Sequence, residues 1–141
     1  MKNIQQLILA LSLAGAASLA AAQGQSPANA HAFLEAVARA HPVLVTDFAV
    51  ATPLTHDVVA LESSGCRSKF TSRAPGGQPV ESTLDWQTIR TTQVEGERDL
   101  RIRGRGVDTM LGFESRELAV RVANALTMVR RNCDPISGFG F

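Results

Sequence analysis

The sequence predicts an α+β domain in which an antiparallel sheet is covered by one helix that precedes it and one long helix that follows it. Two segments near the ends of the mature chain carry apolar residues at helical spacing. Most of the segments between them alternate polar and apolar residues, and short glycine-containing turns separate the later ones, which is typical of an antiparallel meander. This order of elements favours helices packed on one face of a sheet.

The first 22 residues have the pattern of a secretory signal peptide. Lys2 gives a positive start, residues 7–22 are almost entirely apolar, and three alanines precede Gln23. The apolar run is shorter than the roughly 20 residues that span a bilayer, so we expect cleavage and no stable membrane span afterwards. Residues 23–141 then form a single exported domain, in the periplasm or the medium.

The charge of the mature chain argues against nucleic acid as a partner. The sequence holds 14 basic and 13 acidic residues, and loss of Lys2 with the leader makes the mature domain formally neutral. Nucleic-acid binding needs an excess of basic residues that neutralises phosphates.

The two cysteines of the mature chain, Cys66 and Cys133, are predicted to form a structural disulfide. An exported protein meets an oxidising compartment, and one pair allows a single intramolecular connectivity. The strand pattern turns Cys66 inward beside Phe70, and the helix pattern turns Cys133 toward the sheet. Two cysteines so far apart, without a CxxC spacing, favour neither a metal site nor a catalytic thiol.

The N-terminal helix is predicted to begin at Ser26–Pro27, since serine caps helices and proline fits the first helical position. Its apolar stripe contains Ala30, Phe33, Leu34, Val37 and Ala38. His31 recurs with charged residues on another face, so we expect it to be solvated. His41–Pro42 ends the helix.

Two short apolar runs follow, Val43–Val45 and Val58–Leu61. Their length fits either buried strands or pieces of helix, and their valines favour strands. His56 and Asp57 lie between them, in what we expect to be a polar loop. A hydrolytic site that uses these two residues is the enzymatic alternative. Adjacent side chains point away from each other on either a strand or a helix, which weakens the case for a hydrolytic site.

Residues 66–73 are predicted to be a strand, and a loop rich in proline and glycine follows it. The next strand turns Leu84 and Trp86 into the core, but Ile89 breaks the alternation, which predicts a bulge or a sharp twist near Gln87. Two further strands place apolar residues inward at Leu100, Ile102, Leu111 and Phe113.

The last helix is expected to begin at a Ser115 cap. Its single apolar stripe contains Ala119, Val122, Leu126, Val129 and Cys133. A curved meander closed by such a helix also resembles the layout of a pleckstrin-homology-like barrel, which is the alternative architecture. The resemblance is one of element order and implies the fold alone.

The spacing of residues matches no metal site, nucleophile elbow, phosphate-binding loop or dinucleotide fingerprint. With three histidines, no tyrosine and no clustered carboxylates, the chain offers little material for acid–base catalysis. We therefore expect no cofactor, and a protein-binding module rather than an enzyme: an inhibitor, an immunity protein or an envelope accessory factor. A small-ligand carrier is the alternative.

One group of residues stands out as a candidate binding site. Arg101, Arg103 and Arg105 alternate along a predicted strand, so their side chains share one face at intervals of about 7 Å. Arg90 is expected to join them from the neighbouring strand. Such a row can hold an acidic protein partner or a carboxylate ligand through bidentate hydrogen bonds. The competing interpretation is a solvated sheet face balanced by the acidic residues Glu95, Glu97 and Asp99.

Overall fold

The computed structural model describes residues 26–134, and the predicted signal peptide, residues 1–22, lies outside them. Seven strands follow one helix and precede another. In chain order the elements are α1 (Pro27–Ala40), β1 (Leu44–Asp47), β2 (Thr55–Ser64), β3 (Arg67–Arg73), β4 (Val80–Asp85), β5 (Ile89–Glu95), β6 (Asp99–Gly104), β7 (Val107–Gly112) and α2 (Arg116–Cys133). Within residues 26–134, no helix is long and apolar enough to cross a membrane.

All seven strands belong to one antiparallel sheet with the order β4-β3-β2-β1-β7-β6-β5. The short strand β1 is central, because it pairs with β2 on one side and with β7 on the other. It thus joins the run β2–β4 to the run β5–β7. The predicted fold class, an antiparallel meander with a helix at each end, is confirmed.

The hydrophobic core lies between α2 and the inner face of the sheet. The Ser115 side chain caps α2 by accepting a hydrogen bond from the Leu118 N–H at 3.2 Å, as the sequence predicted. The predicted stripe of α2 is buried at Ala119, Val122, Leu126, Val129 and Cys133. From the sheet side, Leu100, Ile102 and Trp86 join the same cluster, each with no more than 1% of its surface exposed.

The helix α1 is capped by Ser26, as predicted, but His31 is buried and not solvated. Its Nδ1 atom lies 2.6 Å from the Ser63 hydroxyl of β2. One turn later, the Glu35 carboxylate accepts a hydrogen bond from the Ser63 N–H at 2.8 Å. The polar face of α1 therefore docks on β2, because the helix packs against this strand as well as against α2.

These polar contacts continue into the sheet. The Ser63 hydroxyl lies 2.8 Å from the Ser68 hydroxyl of β3, and Ser68 accepts a hydrogen bond from Nε1 of Trp86, also at 2.8 Å. A row of side-chain hydrogen bonds thus runs from His31 through Ser63 and Ser68 to Trp86. We call these four residues the buried polar chain.

The valine-rich runs are strands as predicted, but His56 and Asp57 do not form a loop between them. Both residues belong to β2, where they pair with Val45 and Leu44 of β1. The actual connection between β1 and β2 is residues 48–54. The prediction was wrong because the polar pair interrupts the apolar run without interrupting the backbone ladder.

The strand expected to carry both Leu84 and Trp86 ends earlier, at Asp85. The Asp85 side chain accepts a hydrogen bond from the Gln87 N–H at 3.0 Å, which turns the chain out of the ladder. The break in alternation at Ile89 therefore marks a turn between strands at opposite edges of the sheet, not a bulge near Gln87. A bulge does occur just after Ile89, inside β5.

Cys66 and Cys133 lie at disulfide-bonding distance, with their Cα atoms 5.4 Å apart. The bond joins the end of α2 to the turn between β2 and β3. The Cys66 carbonyl also accepts a hydrogen bond from the Trp86 N–H at 2.9 Å. The cross-link therefore lies beside the buried polar chain.

We expect this disulfide to contribute about 4 kcal/mol to the free energy of unfolding, because it closes a long loop in the unfolded chain. Urea unfolding with and without a reductant measures the contribution. The variant Cys66→Ser/Cys133→Ser should match the reduced wild type. Equal unfolding midpoints in both conditions, or two alkylated thiols in protein purified without reductant, would contradict the expectation.

Candidate functional site

A cavity of about 380 Å³ opens at one end of the sheet. Ser82 of β4 and Thr109 of β7 both line it, although three strands separate β4 from β7 in the sheet. The sheet must therefore curve strongly around this space. We call it the open-end cavity, and its lining residues are Val45, Asp47, Val50, Thr52, Leu54, His56, Phe70, Ser72, Val80, Ser82, Thr83, Leu84, Gly106, Val107 and Thr109.

The floor of the open-end cavity and part of its rim are apolar. Phe70 and Leu84 line both this cavity and a gap of about 40 Å³ in the hydrophobic core, so they form the partition between the two. At the rim, Val50, Leu54 and Val80 are exposed by 49%, 60% and 51%. Clustered exposed apolar side chains beside a cavity are typical of a binding site.

Among the lining residues that are buried or half-buried, three are polar, namely His56, Ser72 and Thr109. Ser72 and Thr109 are buried, while His56 is half-buried. The His56 Nδ1 atom lies 3.4 Å from the Ser72 hydroxyl, at the long limit of a hydrogen bond. His56 and Ser72 are therefore placed to donate and accept hydrogen bonds with an oxygen atom inside the cavity.

Asp57 does not act together with His56. His56 lines the open-end cavity, whereas Asp57 is exposed on the other face of β2, because successive strand residues point to opposite faces. Asp47 lines the cavity too, but its carboxylate accepts a hydrogen bond from the Ala49 N–H at 2.9 Å. Across residues 26–134, no carboxylate hydrogen bonds to the His56 ring, so His56 is not the base of a nucleophile–base–acid series in this part of the chain.

The four arginines singled out from the sequence do not form one row. Arg101 and Arg103 lie on the outer face of β6, as predicted. Arg105 lies beyond the end of β6, in the turn to β7, and Arg90 occupies the bulge of β5. The carboxylates that pair with the arginines of β6 are Glu95 and Asp108.

Asp108 is the centre of this outer-face network. Arg101 donates two hydrogen bonds to its carboxylate, at 2.5 and 2.8 Å, and Arg103 approaches it to 3.6 Å. The Arg101 guanidinium also stacks on the Phe48 ring, 4.3 Å from its centre. Hydrogen bonding by Arg101 lowers the pKa of Asp108 below its ordinary value, and the same contact raises the pKa of Arg101.

Sequence reasoning missed the open-end cavity because its walls come from segments far apart in the chain. A signal was nevertheless present. Residues 48–54 contain no charged residue, and neither do residues 74–79 between β3 and β4. Charge-free connections with exposed apolar side chains are unusual at a solvated surface, and they point to a contact with something other than water.

No protein-family model matches the chain, and a search of curated proteins found no match. Among solved structures, the chain is similar to the PH domain from PfAPH, with a TM-score of 0.55 and 13% sequence identity. The match covers 77% of this chain and 95% of that one. At this identity the likeness shows the fold alone. It fits the alternative architecture, a pleckstrin-homology-like curved sheet closed by the C-terminal helix.

We expect Asp108→Asn to destabilise the protein at neutral pH and to lose this effect in acid. A carboxyl group whose pKa is lowered in the folded state contributes stability above its unfolded pKa, near 3.8. That contribution is lost as the pH falls through the lower folded pKa. Urea unfolding of wild type and Asp108→Asn from about pH 7 to about pH 2.5 measures the difference in their free energy of unfolding at each pH.

The matched control for this experiment is Asp57→Asn, which removes an exposed carboxylate from the outer face of β2. A stability difference between wild type and Asp108→Asn that stays constant over the whole pH range would show that the carboxylate charge is not what matters.

Proposed function

We propose that the protein is an exported, non-catalytic binding module that carries a small molecule in the open-end cavity. The observation that supports this most is the cavity itself, with its apolar rim at Val50, Leu54 and Val80. Its volume lies at the lower end of the range of about 300–1,000 Å³ that is usual for ligand sites. A mostly apolar lining with a few polar groups is the usual composition of such sites.

A small ligand is favoured over a protein partner held by the arginine row. Arg101 is already engaged by Asp108 and Phe48, and Arg103 is shared between Asp108 and Glu95. A partner at that face would have to displace contacts within the chain. A ligand in the open-end cavity would instead cover apolar surface that is otherwise in water.

Export is supported by the leader pattern of residues 1–22 and by the Cys66–Cys133 pair. A disulfide persists in oxidising compartments such as the periplasm, and it suits a carrier that works outside the cytoplasm.

We expect Ser82→Trp to weaken ligand binding by about tenfold or more, equivalent to ~1.4 kcal/mol. Ser82 lies on the edge strand β4, is exposed and lines the cavity, so a larger side chain there fills the cavity without repacking the core. The probe is Nile red, an uncharged dye whose fluorescence rises in apolar surroundings. Titration into wild type and variant measures the affinity.

Glu81→Trp is the matched control, since Glu81 is next to Ser82 on β4 but does not line the cavity. It should bind the dye like wild type. Absence of saturable binding to wild type, together with no bound molecule in native mass spectrometry of protein purified from its source, would overturn the proposed function.

An acidic protein partner remains a second candidate, because Arg103 has 49% of its side chain exposed and Arg105 is an exposed residue of the β6–β7 turn. We expect Arg103→Ser/Arg105→Ser to reduce recovery of such a partner from envelope extract, and wild-type recovery to fall as salt screens the charges. The control Arg39→Ser/Arg131→Ser removes the same charge from the helices. Equal recovery by both folded variants would reject this candidate.

A further inference from the structure

The sheet has two edge strands, β4 and β5, and they are covered to different degrees. On β5, the Arg90 carbonyl accepts a hydrogen bond from the Arg130 side chain of α2 at 2.8 Å. The Thr92 hydroxyl of the same strand lies 3.3 Å from the Thr127 hydroxyl of α2. A bulge just after Ile89 also interrupts the ladder of β5. A helix and a bulge are two of the ways in which proteins keep an edge strand from pairing with another chain.

The edge strand β4 has neither of these protections. It pairs with β3 without a register shift, and within residues 26–134 only β3 hydrogen bonds to the backbone of residues 80–84. The side chains of Val80, Glu81, Ser82 and Thr83 are all exposed, so this part of β4 is accessible on both faces. A regular, accessible edge of this kind is a template for a further strand.

The backbone groups that have no partner within residues 26–134 belong to alternate residues of β4. Trp86 continues the register of β4 and donates its N–H to the Cys66 carbonyl of the β3 side at 2.9 Å. Because hydrogen-bonded and non-hydrogen-bonded positions alternate along an antiparallel pair, the even-numbered residues of β4 direct their backbone groups toward β3. The N–H and C=O groups of Glu81 and Thr83 therefore point away from the sheet.

A second copy of β4 fits this edge when a twofold axis passes through Ser82. Glu81 then lies opposite Thr83 of the second copy, and each such pair exchanges both backbone hydrogen bonds. On the inner face, Val80 lies opposite Leu84 of the second copy, so an exposed apolar side chain gains an apolar cross-strand neighbour. The short strand is therefore complementary to itself in backbone hydrogen bonding and in side-chain type.

The other antiparallel registers oppose like charges or need backbone groups that are already paired. With the axis at Thr83, each Glu81 faces an Asp85, and with the axis at Glu81 the two Glu81 side chains face each other. With the axis at Leu84, pairing needs the Asp85 carbonyl, which accepts a hydrogen bond from the Thr88 N–H at 3.0 Å. An axis between two residues sets unpaired backbone groups against groups that already pair with β3.

We propose that two copies of the chain pair through β4, antiparallel about a twofold axis at Ser82, and so join their sheets into one. Glu81 keeps its ion pair with Lys69 of β3, 3.6 Å away, because pairing at the edge leaves the outer face in place. The proposal goes beyond the proposed function and does not depend on a ligand in the open-end cavity.

Ser82→Cys tests the register directly. The two Cα atoms of a non-hydrogen-bonded antiparallel pair lie about 4.5 Å apart, within the range that a disulfide bridges. We expect the mature variant to form a covalent dimer under mild oxidation, seen on a non-reducing gel. Glu81→Cys is the matched control, because its two thiols would be offset by two residues, about 7 Å along the strand, and should not cross-link.

Sedimentation velocity measures the association of the mature protein without an added thiol. We expect a dimer whose fraction rises with protein concentration. Thr83→Pro should raise its dissociation constant by roughly tenfold or more, because proline removes an N–H of the unpaired edge and spares those that pair with β3. Thr83→Val keeps this N–H and should dimerise like wild type. Circular dichroism checks that both variants are folded.

The outcomes separate self-pairing from the other occupants of this edge. A wild type that is monomeric up to ~1 mM would overturn the proposal, as would equal cross-linking of Ser82→Cys and Glu81→Cys. A dimer that persists unchanged in folded Thr83→Pro would place the contact elsewhere and overturn it too. Capture of an envelope protein by a monomeric wild type, but not by Thr83→Pro, would assign the edge to that protein instead. The Nile red titration tests the proposed function separately, and a failure of dye binding leaves the pairing of β4 standing.

Discussion

Burial of Trp86 is the constraint on which the rest of the fold depends. Its indole has 1% of its surface exposed, so the Nε1–H must find an acceptor inside the protein. Ser68 is that acceptor, and its hydroxyl connects to Ser63 and from there to His31 on α1. One buried donor therefore fixes α1, β2 and β3 relative to one another. The disulfide beside it fixes the end of α2 to the same place.

These contacts are concentrated around α1 and α2. Residues at the open end of the sheet can therefore be replaced without breaking them. Phe70 and Leu84 close the core on one side and form the cavity floor on the other. Substitutions at the rim, at Val50 or Val80, change exposed surface and leave the core packing untouched. This division between a cross-linked core and an open end is a common way for a fold to carry variable sites.

Local patterns predicted those parts of the fold whose partners lie on the same element. The stripe of α2 and the inward phase of Cys66 follow from helix and strand periodicity, and both agree with the structure. His31 was misplaced because its burial depends on β2, which meets α1 only in the folded chain. Likewise, the open-end cavity depends on sheet curvature, which alternation along a single strand does not encode.

The arginine row shows why residue type and spacing alone are weak evidence for a binding site. Alternation correctly placed Arg101 and Arg103 on one face, but the same antiparallel geometry brought Asp108 opposite Arg103 on β7. A carboxylate at that position accepts two hydrogen bonds from Arg101 and lies 3.6 Å from Arg103, so Arg101 is already engaged within the chain. Within residues 26–134, no comparable partner covers the exposed apolar rim of the open-end cavity. Covering that rim would gain about 25 cal/mol per Å² of apolar surface, which supports the proposal that a ligand binds at the open end.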